Sequence, residues 1–223
     1  MNKASANIRF YKNENGPVIG VTVRPVIEKD GLYFRDLTGD GRLAPYKDWR
    51  NTPAVRAASL AAELSADEKI GMLFVNSWKM GICQEDRAKV DESGLLNEEI
   101  VEQDESIFNV EKTYGTTYTL KEMGIRHFIL RQNPGPGELA DWINQLNMVA
   151  EGTGHALPVM VLSNSRNEHG EIVFGMNDAA GVFAAWPGTL GIAAAVRGSG
   201  PELIDSFAEC IRREWDAVGM KKG

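Results

Sequence analysis

The chain has 223 residues, 43% of them hydrophobic and 25% charged, with a formal net charge of −7 and two cysteines. That balance suits a globular protein able to bury a substantial core, and the negative charge argues against a nucleic-acid surface. No stretch approaches the roughly 18 consecutive apolar residues of a membrane span, and Met1–Asn7 lacks the apolar core of a signal peptide, so the expectation is a cytoplasmic protein without a membrane partner.

Residues 1–34 read as short extended pieces, with alternation in Val18–Arg24 broken by Pro25. The next stretch, Phe34 to Arg50, places Asp36, Thr38, Asp40 and Gly41 at positions 1, 3, 5 and 6 of an EF-hand-like loop. Oxygens on alternate residues converge on a hard cation in such a loop, because the glycine permits the sharp turn between them. Arg42 follows at position 7, and Asp48 lies one residue past position 12. The 36–48 loop, with Asp36, Thr38, Asp40, Arg42 and Asp48, is therefore the candidate Ca2+ site, and no other cofactor is implied.

Thr52-Pro53 opens a predicted helix to about Leu64, with Val55, Ala58 and Ala62 on one side. Ser65-x-x-Glu68 then forms a capping box for a second, short helix. Met72–Val75 is an apolar run suited to a first buried strand, Gly124–Arg131 to a second, and Leu157–Leu162 to a third. The acid-rich stretch from Gln84 to Val110 reads as a solvated face. Pro136–Glu151 is an amphipathic helix with Leu139, Trp142, Ile143, Leu146 and Val149 on its apolar stripe. Pro201–Val218 is another, with Leu203, Ile204, Phe207, Ile211 and Trp215 aligned, and Cys210 on its apolar stripe reads as a buried free thiol and not a disulfide partner. Strands alternating with helices imply an α/β fold with a parallel sheet and right-handed crossovers.

Several separated pieces occur in one order: Asp36–Arg50, Glu68–Gly71, Gly124–Arg131, Asn144–Leu146, Ser163–Asn167, Phe174–Gly181, Trp186–Gly191 and Ile211–Trp215 before Val218-Gly219. Together they resemble the N-terminal part of glycoside hydrolase family 3, the β-glucosidase family. The resemblance implies residues 1–50 as an N-terminal extended segment with the EF-hand-like loop. It implies residues 51–223 as an incomplete N-terminal part of a (β/α)8 TIM-type barrel, with parallel strands after an irregular lead-in. It also implies a retaining β-glucosidase chemistry acting on a β-glucoside or oligosaccharide, and relatives that are often periplasmic or secreted.

Barrel enzymes bind their ligands at the C-terminal ends of the strands. That rule selects Arg131 after the second strand and Asn164, Arg166 and Asn167 after the third, side chains whose donors and acceptors suit sugar hydroxyls. Asn164 stands where many family β-glucosidases carry an aspartate, so it keeps an acceptor and loses the charge; alternatively it ends the strand and shapes the turn. Asp178 either faces the cleft or caps its own loop. The nucleophile and acid/base of the family fall on later strands with no matching position here, so no catalytic residue is assigned. The expected activity of these residues alone is small, and a second chain carrying the rest of the barrel is a candidate partner. A non-catalytic sugar-binding or calcium-dependent interaction module is the alternative reading. The family's loop also carries an acidic residue at position 9 and Glu at position 12; Ala44 and Lys47 stand there instead, so much of the calcium affinity is expected to be lost and the loop to keep its fold with a water or the Lys47 ammonium in place of the ion.

Overall fold

The computed structural model describes residues 8–78, 80–81, 86–102, 113–130, 135–163 and 184–220. They group into two compact units. The first comprises Met1–Phe74, Glu98–Arg126 and Asn144–Val159; the second comprises Val75–Asn97, His127–Ile143 and Met160–Gly223.

The first unit opens with two small antiparallel sheets. Strand β1 (Arg9–Tyr11) pairs with β2 (Ile19–Val21), and β3 (Val26–Lys29) pairs with β4 (Leu32–Arg35). The β3–β4 connection is Asp30-Gly31, both at positive φ (53° and 73°), the two-residue turn whose twist matches paired strands. Ile19, Val21, Ile27 and Phe34 point inward from these sheets, and Phe34 stacks on Trp49 at 5.6 Å between ring centroids. Helix α1 (Pro53–Glu63) starts where predicted, with the Thr52 hydroxyl accepting the Val55 N–H and Pro53 in the first turn, where a missing N–H costs nothing. None of its residues is buried, Val55, Ala58 and Ala62 included. Helix α2 (Ala66–Gly71) carries the full capping box between Ser65 and Glu68. Gly71 is required by space: a Cβ there would lie 2.4 Å from the Met123 carbonyl oxygen. Helix α3 (Thr116–Lys121) follows, with Thr116, Thr119 and Leu120 buried.

The second unit holds a three-stranded parallel sheet in the order β5 (Val75–Trp78), β6 (His127–Leu130), β7 (Met160–Ser163). The mixed α/β class and parallel pairing agree with the sequence reading; the sheet is small and, among the described residues, not closed. All three strands start later than predicted, for a backbone reason. The N–H groups of Met72, Leu73 and Phe74 still bond back to Glu68, Ile70 and Gly71, finishing α2, which leaves Leu73 83% and Phe74 57% exposed. Ile125 N–H bonds back to Thr119 at the exit from α3, and Val159 N–H is taken by the Asn147 side chain.

Helix α4 (Pro136–Glu151) keeps the predicted limits, and Leu139, Trp142, Ile143 and Leu146 are buried as expected, joined by Gln145 and Ala150, with Val149 only half-buried. Helix α5 (Thr189–Ser199), which the sequence reading passed over, has no buried residue, and Leu190 is 86% exposed. On α6 (Glu202–Ala217) only Trp215 of the predicted stripe is buried, while Phe207 meets Trp186 edge to face at 5.0 Å. Cys210 is a free thiol, half-buried where full burial was expected. Among the described residues no helix is long and apolar enough to cross a membrane.

Candidate functional site

The acidic loop and the strand ends are the two places where the sequence concentrates polar function. In the loop, Gly39 and Gly41 take positive φ (76° and 70°), and Gly41 does so with open space beside it, so conformation rather than crowding selects glycine. The turn folds back on Asp36, which is 2% exposed. Its Oδ1 accepts the Gly39 N–H at 2.9 Å and its Oδ2 accepts the Gly41 N–H at 2.7 Å. The Asp36, Thr38 and Asp40 oxygens do converge, and the group at their focus is the Lys47 ammonium. Its Nζ donates to Asp36 Oδ1 at 2.8 Å, Thr38 Oγ1 at 2.6 Å and Asp40 Oδ1 at 2.5 Å, with a side chain 0% exposed. Three N–H donors meet three oxygens, which satisfies an ammonium completely.

The electrostatics follow from this geometry. Burial raises the Asp36 pKa, but the Lys47 hydrogen bond and charge and the two glycine N–H groups outweigh it, and the carboxyl is held below its ordinary value. Asp40 is held low chiefly by its hydrogen bond to Lys47. Burial pulls the Lys47 pKa down, yet the two carboxylates more than compensate and leave it raised.

The other two loop residues proposed as ligands are engaged elsewhere. Asp48 binds the Arg50 guanidinium at 2.7 Å, and the Arg42 side chain is 67% exposed, reaching Glu63 at 3.4 Å. The Arg42 carbonyl, at position 7, accepts the Ala44 N–H at 3.0 Å. A divalent cation takes about six to eight oxygens, and this arrangement, with an ammonium already at the focus, does not fit one. Among the described residues no group of three or more His, Cys, Asp or Glu side chains could hold a metal.

The loop is anchored through Arg24. Its guanidinium donates to Thr38 O at 3.1 Å, to Glu151 O at 3.0 Å and to Thr153 O, placing a cation on the carbonyls at the end of α4, where the helix dipole favours one. The Glu151 carboxylate in turn accepts the Thr22 and Arg24 N–H groups, each at 2.8 Å, and the Thr22 hydroxyl.

A second cluster was missed by sequence reasoning. The His155 side chain is only 18% exposed and sits 2.6 Å from Glu68, on the carboxylate oxygen that the capping box leaves free. With Met72, Gly124, Arg126 and Leu157 they line a cavity of about 20 Å3, the size of one water and too small for a sugar ring.

The strand ends are described up to the residues that precede the sugar-binding candidates. Leu130 and Ser163 are register partners on adjacent parallel strands, so β6 and β7 finish side by side at the same end of the sheet. Arg131, Asn164, Arg166, Asn167 and Asp178 themselves lie outside the described residues.

No protein-family model matches the chain. It is 31% identical over 197 residues to the periplasmic β-glucosidase/β-xylosidase of Dickeya chrysanthemi, covering 88% of this chain and 26% of that protein. A probable β-glucosidase C of Aspergillus oryzae is 29% identical over 79% of this chain and 24% of its own length. β-Glucosidase C of Emericella nidulans is 28% identical over 74% and 22% respectively. The chain is related to the β-glucosidases of glycoside hydrolase family 3. It spans about a quarter of the length of the curated relatives it matches. Within that family a retaining enzyme needs one carboxyl that attacks and one that is protonated, set about 5 to 5.5 Å apart. Asp36 and Asp40 share one ammonium and are both held ionised, so they cannot divide those roles.

Proposed function

We propose that this chain contributes sugar-binding residues and the opening strand–helix units of a (β/α)8 barrel of the retaining β-glucosidase type. Arg131, Asn164, Arg166, Asn167 and Asp178 bind the hydroxyls of a β-glucoside or oligosaccharide. The observation that supports this reading is the parallel pairing of Leu130 with Ser163: the two polar segments that follow leave the sheet from neighbouring strand ends, where barrel enzymes hold their ligands. The relatives named as β-glucosidases supply the substrate class. Among the described residues the parallel sheet has three strands of the eight a barrel takes, and further strand–helix units, in the same polypeptide or in a second chain, would complete it. Hydrogen bonds and neighbouring cations hold the carboxyls of Asp36, Asp40, Asp48, Glu68 and Glu209 below their ordinary range, so none of these five is suited to donate a proton to a leaving group.

Ligand-observed NMR with glucose and cellobiose tests the reading on the full chain. Binding is expected for the native sequence and lost in Asn164→Ala and Arg131→Ala, with circular dichroism unchanged. Absence of binding in the native chain, or binding indifferent to both substitutions, would reject it. Hydrolysis of an aryl β-glucoside is expected to be negligible, and turnover abolished by Asp178→Ala would show that the chemistry had been placed wrongly.

A further inference from the structure

The acidic loop has the ligand spacing of a cation site and a cation of its own already inside it. We propose that Lys47 is a chain-borne replacement for a divalent ion, which makes the loop independent of calcium and leaves it a latent calcium site closed by this one side chain.

Three observations carry the inference. Lys47 occupies position 12 of the loop, where an EF-hand uses a bidentate glutamate, and its Nζ lies at the focus of the oxygens from positions 1, 3 and 5. The side chain is 0% exposed, so the ammonium is enclosed and is not a transient surface pairing. The charges also balance. Two carboxylates and one ammonium leave the cage with one net negative charge, the same as Asp36, Asp40 and a position-12 glutamate would leave around a divalent ion, while the position-9 carboxylate is also missing, as Ala44. At position 12 the lysine therefore supplies the positive charge that a glutamate-bound ion would have supplied.

The backbone shows what the exchange preserves. Asp36 still gathers the Gly39 and Gly41 N–H groups, so the turn is shaped by interactions that need no metal. The Arg42 carbonyl, freed from a ligand role at position 7, is used by Ala44. Because the ammonium is tethered, it cannot be removed by a chelator, and a lead-in of this kind keeps its shape where free calcium is scarce.

Thermal melting of the full chain in millimolar CaCl2 and in EDTA tests this, with Lys47→Glu and Lys47→Met beside the native sequence. The native midpoint is expected to be the same in both buffers. Lys47→Glu is expected to melt well below the native chain in EDTA and to recover in calcium with a saturable dose dependence. Lys47→Met, lacking both the cation and the third carboxylate, is expected to stay destabilised in both. A native midpoint that rises with calcium or falls with EDTA would overturn the proposal, whatever the variants do. So would a Lys47→Glu chain that folds and gains no more from calcium than Lys47→Met.

Discussion

Two clusters of opposite charge in this molecule use the same chemistry in different surroundings. Around Lys47, two aspartates and a threonine enclose an ammonium that is 0% exposed. On α6, Glu209 holds Arg212 and Arg213 at 2.7 Å each, but the three side chains are 43% to 74% exposed. Contact distances alone would rank them as equals. Burial separates them: water and salt screen the α6 set, whereas Asp36, 2% exposed, has no solvent to replace a lost partner.

The largest effect expected from breaking this contrast is at Lys47. Lys47→Met leaves Asp36 buried without its counter-ion and should cost about 3 kcal/mol in chemical denaturation, at the low end for a buried pair because Asp40 is partly exposed and can be hydrated. Next comes Glu151→Ala, which strands the Thr22 and Arg24 N–H groups and should cost about 2 kcal/mol.

Titration gives a third test. Asp36 and Asp40 have folded pKa values below 3.8, so their contribution is present above that pH and is lost as pH falls through the lowered values. Lys47 has a folded pKa above 10.5, so its contribution is present below that pH and is lost as pH rises through the raised value. Stability of the first unit should therefore hold between these limits and fall outside them, and Lys47→Met should flatten the acid limb. The smallest effect belongs to the helix: Glu209→Gln should leave the melting midpoint within experimental scatter. A large drop there would erase the contrast between the two clusters.

The features legible in the sequence were those set by near neighbours. Pro136 and the Leu139–Leu146 spacing gave α4 its limits and its buried stripe, and Ser65-x-x-Glu68 gave the start of α2. Lys47 at position 12 pointed to the ammonium that sits at the focus of the loop's oxygens. Asp30-Gly31 was a readable hairpin signal that went unused. The late strand starts were hidden because whether Leu73 or Val159 joins a ladder depends on where its backbone N–H is already spent. Helix α5 was hidden because Gly191, Ala193–Ala195 and Gly198 give it no apolar stripe to recognise. The His155–Glu68 contact joins residues 87 apart in sequence, and no local pattern announces it.

The loop is closed on its own lysine, and the residues proposed to bind sugar follow Leu130 and Ser163 in the chain. Backbone amide NMR of the full chain during a glucose titration tests that separation most directly. Shifts are expected at residues 131–133 and 163–167, with the amides of 36–48 unmoved. Shifts concentrated in the 36–48 loop, or none at either strand end, would contradict it.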